Sequence, residues 1–239
     1  MAIFAANKMG PEAISNPSIY IGAFELREPI TTLTDLVFAG VGWYAFARFY
    51  RHKGEKTEAF RFFYFYFFFF GFGITCASLL GHAFQAYLTP DYKAIGWSIT
   101  SFGIMSIELA SLNLISNMIK RTYKYIFRTF IVMHIIAFLA LMMFDETRDF
   151  RFSAANSVIG LVLVSMSMQI FHGVKMKSKG SWLLVAAILF GFSPLFVYIF
   201  KFSISNWFNY HDLSHLLLAT SMYIMYLGAW RLGTKPSSV

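Results

Sequence analysis

"YFYFFFFGFGITCASLLG", residues 64–81, has no charged residue and no alternation of apolar with polar positions. A strand of a membrane barrel alternates its lipid and lumen faces over runs of about ten residues, so this stretch reads as a helix. A helix in lipid satisfies its own backbone hydrogen bonds, which lets a run of phenylalanines face acyl chains without polar partners. Crossing a hydrocarbon core about 30 Å thick takes roughly 20 residues, and the apolar run around this stretch extends from Phe62 to Leu88.

Six more runs of this kind flank it: Leu33–Tyr50, Ala94–Met118, Tyr125–Phe144, Phe152–Val174, Trp182–Lys201 and Tyr210–Trp230. The chain of 239 residues is 57% hydrophobic and 13% charged, with a mean hydropathy of +0.57, outside the range of ordinary soluble domains. The expected fold is therefore all-α: a polytopic membrane protein of seven transmembrane helices. Residues 1–32 form an N-terminal interfacial segment, 33–230 the transmembrane domain and 231–239 a cytoplasmic tail.

Orientation follows from the basic residues. Fourteen of the 20 Lys and Arg follow odd-numbered spans, among them Arg48, Arg51, Lys120, Arg121, Lys175 and Arg231. The other six are Lys8, Arg27, Lys93, Arg148, Arg151 and Lys201. The positive-inside rule then sets the C-terminus in the cytoplasm and the N-terminus outside. The net charge of +8 is read as this topology signal, with anionic headgroups rather than nucleic acid as its partner. A bacterial inner membrane or an endomembrane fits, with the outer end facing periplasm or lumen. No cleavable signal peptide is recognisable. One cysteine, Cys76, excludes an intramolecular disulfide and a cysteine metal cluster.

Ionisable groups inside spans are costly and are functional candidates by default. His82 lies six residues before Leu88, about 9 Å below the outer end at 1.5 Å per residue. His211 and His215 open the seventh span at the same end, four residues apart, a spacing that stacks two side chains on one helical face. Three imidazoles with a water make the open site of catalytic zinc, in which the metal lowers the pKa of that water toward about 7 and polarises a carbonyl. Ser78 precedes His82 by one turn and is placed to donate to an oxyanion; its alternative is a bond to a carbonyl of its own helix. Asp91, in "TPDYK", is the favoured base, and its alternative is a turn or cap residue. Asp212 then supports a ligand histidine or opens the helix. Glu108 lies about 21 Å from the outer end, well below the histidines, and is expected to be protonated or bonded to another helix. A role for it in substrate or proton passage stays open. His134 and His172 are read as structural.

A serine and a histidine four apart late in span two, with His-x-x-x-His at the start of span seven, resemble the CREST superfamily of seven-helix membrane hydrolases, which includes alkaline ceramidases and adiponectin/progestin-type receptors. The helix entry is similar too. Alkaline ceramidases carry Glu-x-x-Asn-Thr-x-Ser-Asn-Leu there, and this chain has "EPITTLTDL", residues 28–36, with Thr31, Thr34 and Asp35 as polar replacements. The resemblance implies a zinc amidase cleaving the N-acyl bond of ceramide-like lipids. His82, His211 and His215 would be ligands, Ser78 the oxyanion donor, and Asp91 the match to the family's proton acceptor. The family's N-terminal calcium loop is matched only at Glu28, with Glu25 nearby, so calcium dependence is not expected.

Two other classes compete with a lipid-amide hydrolase. One is a lipid-sensing receptor or membrane-complex subunit with a structural zinc, binding metal without turnover. The other is a haem-binding electron carrier with His82 paired to His211 or His215 as axial ligands. An opsin-like pigment is disfavoured because span seven has no lysine, and no repeated halves point to a transporter.

Overall fold

The structure is a computed structural model, and it describes residues 17–234. Residues 1–16 and 235–239 lie outside the described residues, taking with them Lys8, Lys235 and the distal parts of both expected terminal segments. Among the described residues stand seven long helices: α1 (Pro29–Arg51), α2 (Phe60–Ala83), α3 (Lys93–Ile115), α4 (Arg121–Leu141), α5 (Phe150–Met176), α6 (Lys179–Ile199) and α7 (Tyr210–Gly233). The first six are long and apolar enough to cross a membrane. The chain is thus an all-α, multi-pass membrane protein. The seventh helix, α7, carries polar side chains in its first two turns and is not among these six.

α1 packs against α2 and α7, α2 against α3, and α6 against α7, while α5 lies against α3 and α6. α4 packs on α3 and α5 from outside, and buries only Ile131, Ile135 and Phe138. Lipid-embedded helices gain little from hydrophobic exclusion between them, so small residues that allow backbones to touch matter most. A Cβ on Gly96 of α3 would meet the Gly73 carbonyl of α2 at 2.7 Å, and one on Gly228 of α7 the Gly180 carbonyl of α6 at 2.9 Å. The end away from His82 is filled by rings. Phe49 lies 5.0 Å from Phe60 and 5.3 Å from Trp230 between centroids.

Three features differ from the sequence expectation. The second span stops at Ala83 rather than Leu88, because its last residues, Leu79–Ala83, widen into a π-helical turn before the chain turns away. The sixth breaks at Gly191 and Phe192 and resumes with Pro194 in its first turn, where proline needs no donor. Before α1 stands a hairpin, β1 (Ser18–Ile21) paired antiparallel with β2 (Phe24–Arg27), an element that the expected interfacial segment does not specify. Its β-branched and aromatic residues suit strands, and Gly22 supplies the turn at φ +62°. Hydrogen bonds from Arg27 and Ser18 hold the Glu25 carboxyl below its ordinary range. Phe24 stacks on Tyr87, and the Glu25 amide donates to the Tyr87 hydroxyl at 2.7 Å, which ties the hairpin to the segment after α2.

Candidate functional site

Pro29 opens α1, and the residue before it, Glu28, adopts a left-handed conformation with φ +46°. For a residue with a Cβ this costs roughly 1–2 kcal/mol. The position is over-determined from both sides: the Glu28 amide donates to the Pro17 carbonyl, the hairpin pairs Arg27 with Ser18, and proline fixes the following φ. The result is that Glu28, 9% exposed, turns its carboxylate inward and contacts Nδ1 of His82. About two turns beyond Glu28 along α1, Asp35 is also buried, at 6% exposure. Its Oδ1 lies 3.3 Å from His215 Nδ1 and its Oδ2 lies 3.7 Å from His82 Nε2. The two imidazoles stand edge to face with centroids 6.1 Å apart. His215 Nδ1 also lies 3.3 Å from the hydroxyl of Thr34, which itself donates to the Thr31 carbonyl.

The start of α7 is fixed by a reciprocal cap. Asn209 accepts from the His211 amide at 2.8 Å, and Asp212 accepts from the Asn209 amide at 2.6 Å. Such caps are worth about 1 kcal/mol. This cap sets the rotation of α7 that carries His215 toward Asp35. His211 packs its ring on Tyr210, 4.2 Å between centroids, with Tyr198 edge-on at 6.0 Å. It is close enough to Glu28, His82 and Lys93 for their charges to act on it. Lys93, at the start of α3, lays its aliphatic chain over Gly81, and its charge acts on both Glu28 and Asp35.

The expected residues therefore separate into two groups. His82 and His215 meet through Asp35, and His211 stands beside them. Ser78 is fully buried with its hydroxyl donating to the Thr32 carbonyl of α1 at 3.0 Å, so it stitches α2 to α1. Asp91 sits in the 3-10 turn Pro90–Tyr92 and accepts from Thr89 at 3.5 Å. Its place is on an open groove of about 570 Å³, with Ile95, Met142 and Arg148 on the other walls, and no contact links it to the histidines. Asp212 is spent on the helix cap, with its Oδ1 buried and unpartnered. Glu108 finds the expected bond to another helix, in His134 of α4 at 3.3 Å, and His172 accepts or donates at 2.7 Å to Ser181. Among the described residues, no three His, Cys, Asp or Glu side chains stand placed as a group that holds a metal.

Glu28, Asp35 and Lys93 are what the sequence reading missed as site residues. Asp35 was detectable: it is an acid seven residues into a span, and the cost of burying it is the same signal that singles out His82. Glu28 was not, since its inward turn depends on the hairpin.

Comparison with known proteins gives one family match. Residues 30–234 match the model of a family described as a family of unknown function, DUF6962. No curated protein matches the chain. No solved structure matches it either.

Proposed function

The chain belongs to the DUF6962 family, whose function is unknown, and from that starting point we propose that it is a zinc-dependent intramembrane hydrolase of lipid amide bonds, with a ceramide-like lipid as substrate. The reading includes seven membrane crossings, the N-terminus outside, and the site near the periplasmic or lumenal surface. The observation that carries it is the pair of carboxylate-backed histidines: Glu28 on Nδ1 of His82, and Asp35 on Nδ1 of His215.

Metal-binding histidines almost always give their second ring nitrogen to a carboxylate or carbonyl, which fixes the tautomer and raises the basicity of the other nitrogen. Two such pairs from different helices, with a third imidazole one turn away, are donors of the type zinc takes, although the three rings do not stand closed around a common point among the described residues. His82, His215 and His211 would hold it. Zinc bound there supplies Lewis acidity and a water of lowered pKa, toward about 7.

The chain's own residues supply the rest. Glu28 and Asp35 orient the imidazoles, and Asp35, between the two rings, is the carboxylate best placed to accept a proton, a part that Asp91 does not reach. Lys93 balances the two buried acids. Tyr210 and Tyr198 stand against the His211 ring and give that side of the site an aromatic wall.

The engagement of Ser78 with Thr32 favours a second reading, a lipid-binding protein in which zinc is structural. One experiment separates them. The full chain, purified in detergent without chelators, is assayed for metal by mass spectrometry and for fatty-acid release from a ceramide, beside His82→Ala. The hydrolase reading expects a single zinc per chain and fatty-acid release, both lost in the variant. Zinc without release supports the second reading, and wild-type protein devoid of zinc sinks both.

A further inference from the structure

The helices α3, α4 and α5 enclose a second polar group, about 22 Å along α3 from Lys93. Glu108 is completely buried, and its Oε1 lies 3.3 Å from Nδ1 of His134. The outward atoms of this pair, Glu108 Oε2 and His134 Nε2, are both buried without a hydrogen-bond partner. Three more such atoms lie on α5: Asn156 Oδ1, Ser165 Oγ and Gln169 Oε1. Among the described residues, five of the eight buried and unpartnered side-chain polar atoms thus fall on these three helices.

A buried polar group left without a partner costs about 1–3 kcal/mol, and native interiors meet that cost with ordered water, on average about three hydrogen bonds to each molecule. Spread along α5 and the facing α3 and α4, the five mark a polar interior. The backbone agrees. The middle of α5, Val158–Met166, is π-helical, a form that is rare and frequently found at functional sites. Its wider turn brings Asn156, Gly160, Ser165 and Gln169, all buried, round to the interior. Gly160 faces the acid: a Cβ there would stand 3.3 Å from Glu108 Oε1. Gln169 donates to Ser111, one turn beyond Glu108 on α3. Leu112, Ile115, Ile131, Val164 and Met168 wall the group off with apolar side chains.

We propose that this interior is a proton-binding site filled by buried water, in which Glu108 and His134 exchange a proton and Asn156, Ser165 and Gln169 hold the water. In the exchange the Glu108 O–H bond breaks at Oε1 and an N–H bond forms at His134 Nδ1. His134 Nε2 then releases its own proton to a water, and Glu108 regains one from water at Oε2. The two unpartnered outward atoms are the entry and the exit. Among the titratable groups on the helices around α3, His134 is the one that acts on Glu108. Tyr66 of α2 is buried among Phe67 and Phe70, and on α5 the buried His172, one turn beyond Gln169, is engaged with Ser181 of α6, while Arg151 and Lys175 lie near the helix ends. The site does not depend on the zinc reading, since it shares no residue with the His82 cluster.

The test is infrared difference spectroscopy of the full chain in lipid nanodiscs across a pH series, in H₂O and D₂O, for wild type, Glu108→Gln and His134→Gln. The expected result is a carboxylic-acid carbonyl band that fades as pH rises, shifts in D₂O and is lost in Glu108→Gln. In His134→Gln the fading moves along the pH axis. A Glu108 band indifferent to pH or unshifted in D₂O overturns the proposal, because it describes a static hydrogen-bonded acid. Should Glu108→Gln fail to fold, His134→Gln decides alone: a band whose pH dependence is unmoved by that change also overturns it.

Discussion

Replacing Gly96 by alanine tests the packing that positions the whole site. The added Cβ would stand 2.6 Å from Ala77 Cβ, 2.7 Å from the Gly73 carbonyl and 2.9 Å from Ala77 Cα. Carbon atoms rest about 3.5–4.0 Å apart, and the obstruction is backbone, which has no rotamer to escape into. Overpacking costs about 1–3 kcal/mol, and the upper end applies here. Alanine returns about 1 kcal/mol through helix propensity, for a net loss of about 2 kcal/mol. For a chain of this size that lowers Tm by about 4–8 °C. Gly40→Ala is the matched control, since nothing lies within 4 Å of its added methyl on the exposed face of α1. It keeps only the propensity gain of about 1 kcal/mol and should melt about 2–4 °C higher. Thermal unfolding of the full chain in one detergent, followed by far-ultraviolet ellipticity, reads both. A Gly96→Ala protein that melts at or above the wild-type temperature would refute the close α2–α3 crossing.

Two further outcomes follow from other parts of the molecule. Gly81→Ala places a methyl 2.5 Å from Cγ of Lys93, a flexible chain that swings aside, so stability should stay within about 0.5 kcal/mol. The lysine charge meanwhile leaves the cluster, and zinc titration should show several-fold tighter binding; an unchanged affinity would show that Lys93 does not act there. At the other helix entry, Asp149 caps α5 by accepting from the Arg151 amide at 2.7 Å and from its guanidinium, and those bonds hold its carboxyl below the ordinary aspartate range. A depressed folded pKa gives stability that is present above the unfolded value and lost as pH falls through the folded one. Asp149→Ala should therefore cost about 1 kcal/mol at neutral pH and progressively less in acid, as read by paired melts; a gap that persists in strong acid would exclude the charge as its origin.

The helical character and the six long apolar spans were legible because hydropathy is a property of composition over 20 residues. Every polar placement that depends on a second element was less so. His82 and His215 fall together because both sit near the same end of their helices, which counting residues reveals. Ser78 reads from the sequence as a site hydroxyl or as bonded within its own helix, and the acceptor it has in the structure, the Thr32 carbonyl, belongs to another helix, which the sequence does not display. Asp91 stands apart from the histidines in the structure because the helix preceding it ends at Ala83, whereas the apolar run continues to Leu88. His134 looked solitary because its partner is set by how α4 lies on α3, and helix crossing is decided by packing detail that periodicity does not encode.

The strain at Glu28 bears on what the site is for. A glycine before Pro29 would adopt φ +46° without cost and would make the same amide bond to Pro17. What a glycine lacks is the carboxylate, and that carboxylate is nine-tenths buried against His82. The backbone thus holds an unfavourable conformation at the one residue where doing so carries a negative charge under the hairpin and into the end of the bundle. Strained positions of this kind persist where the surrounding structure over-determines them, and they concentrate at functional sites. Stability alone gives no reason to gather Glu28, Asp35, Lys93 and three histidines there, because replacing buried ionic groups by apolar ones is often neutral or stabilising. The far end of the same three helices shows that alternative, filled by Phe49, Phe60, Phe63, Phe67 and Trp230. The contrast within one bundle gathers the ionisable groups at the His82 end and the packed rings at the other.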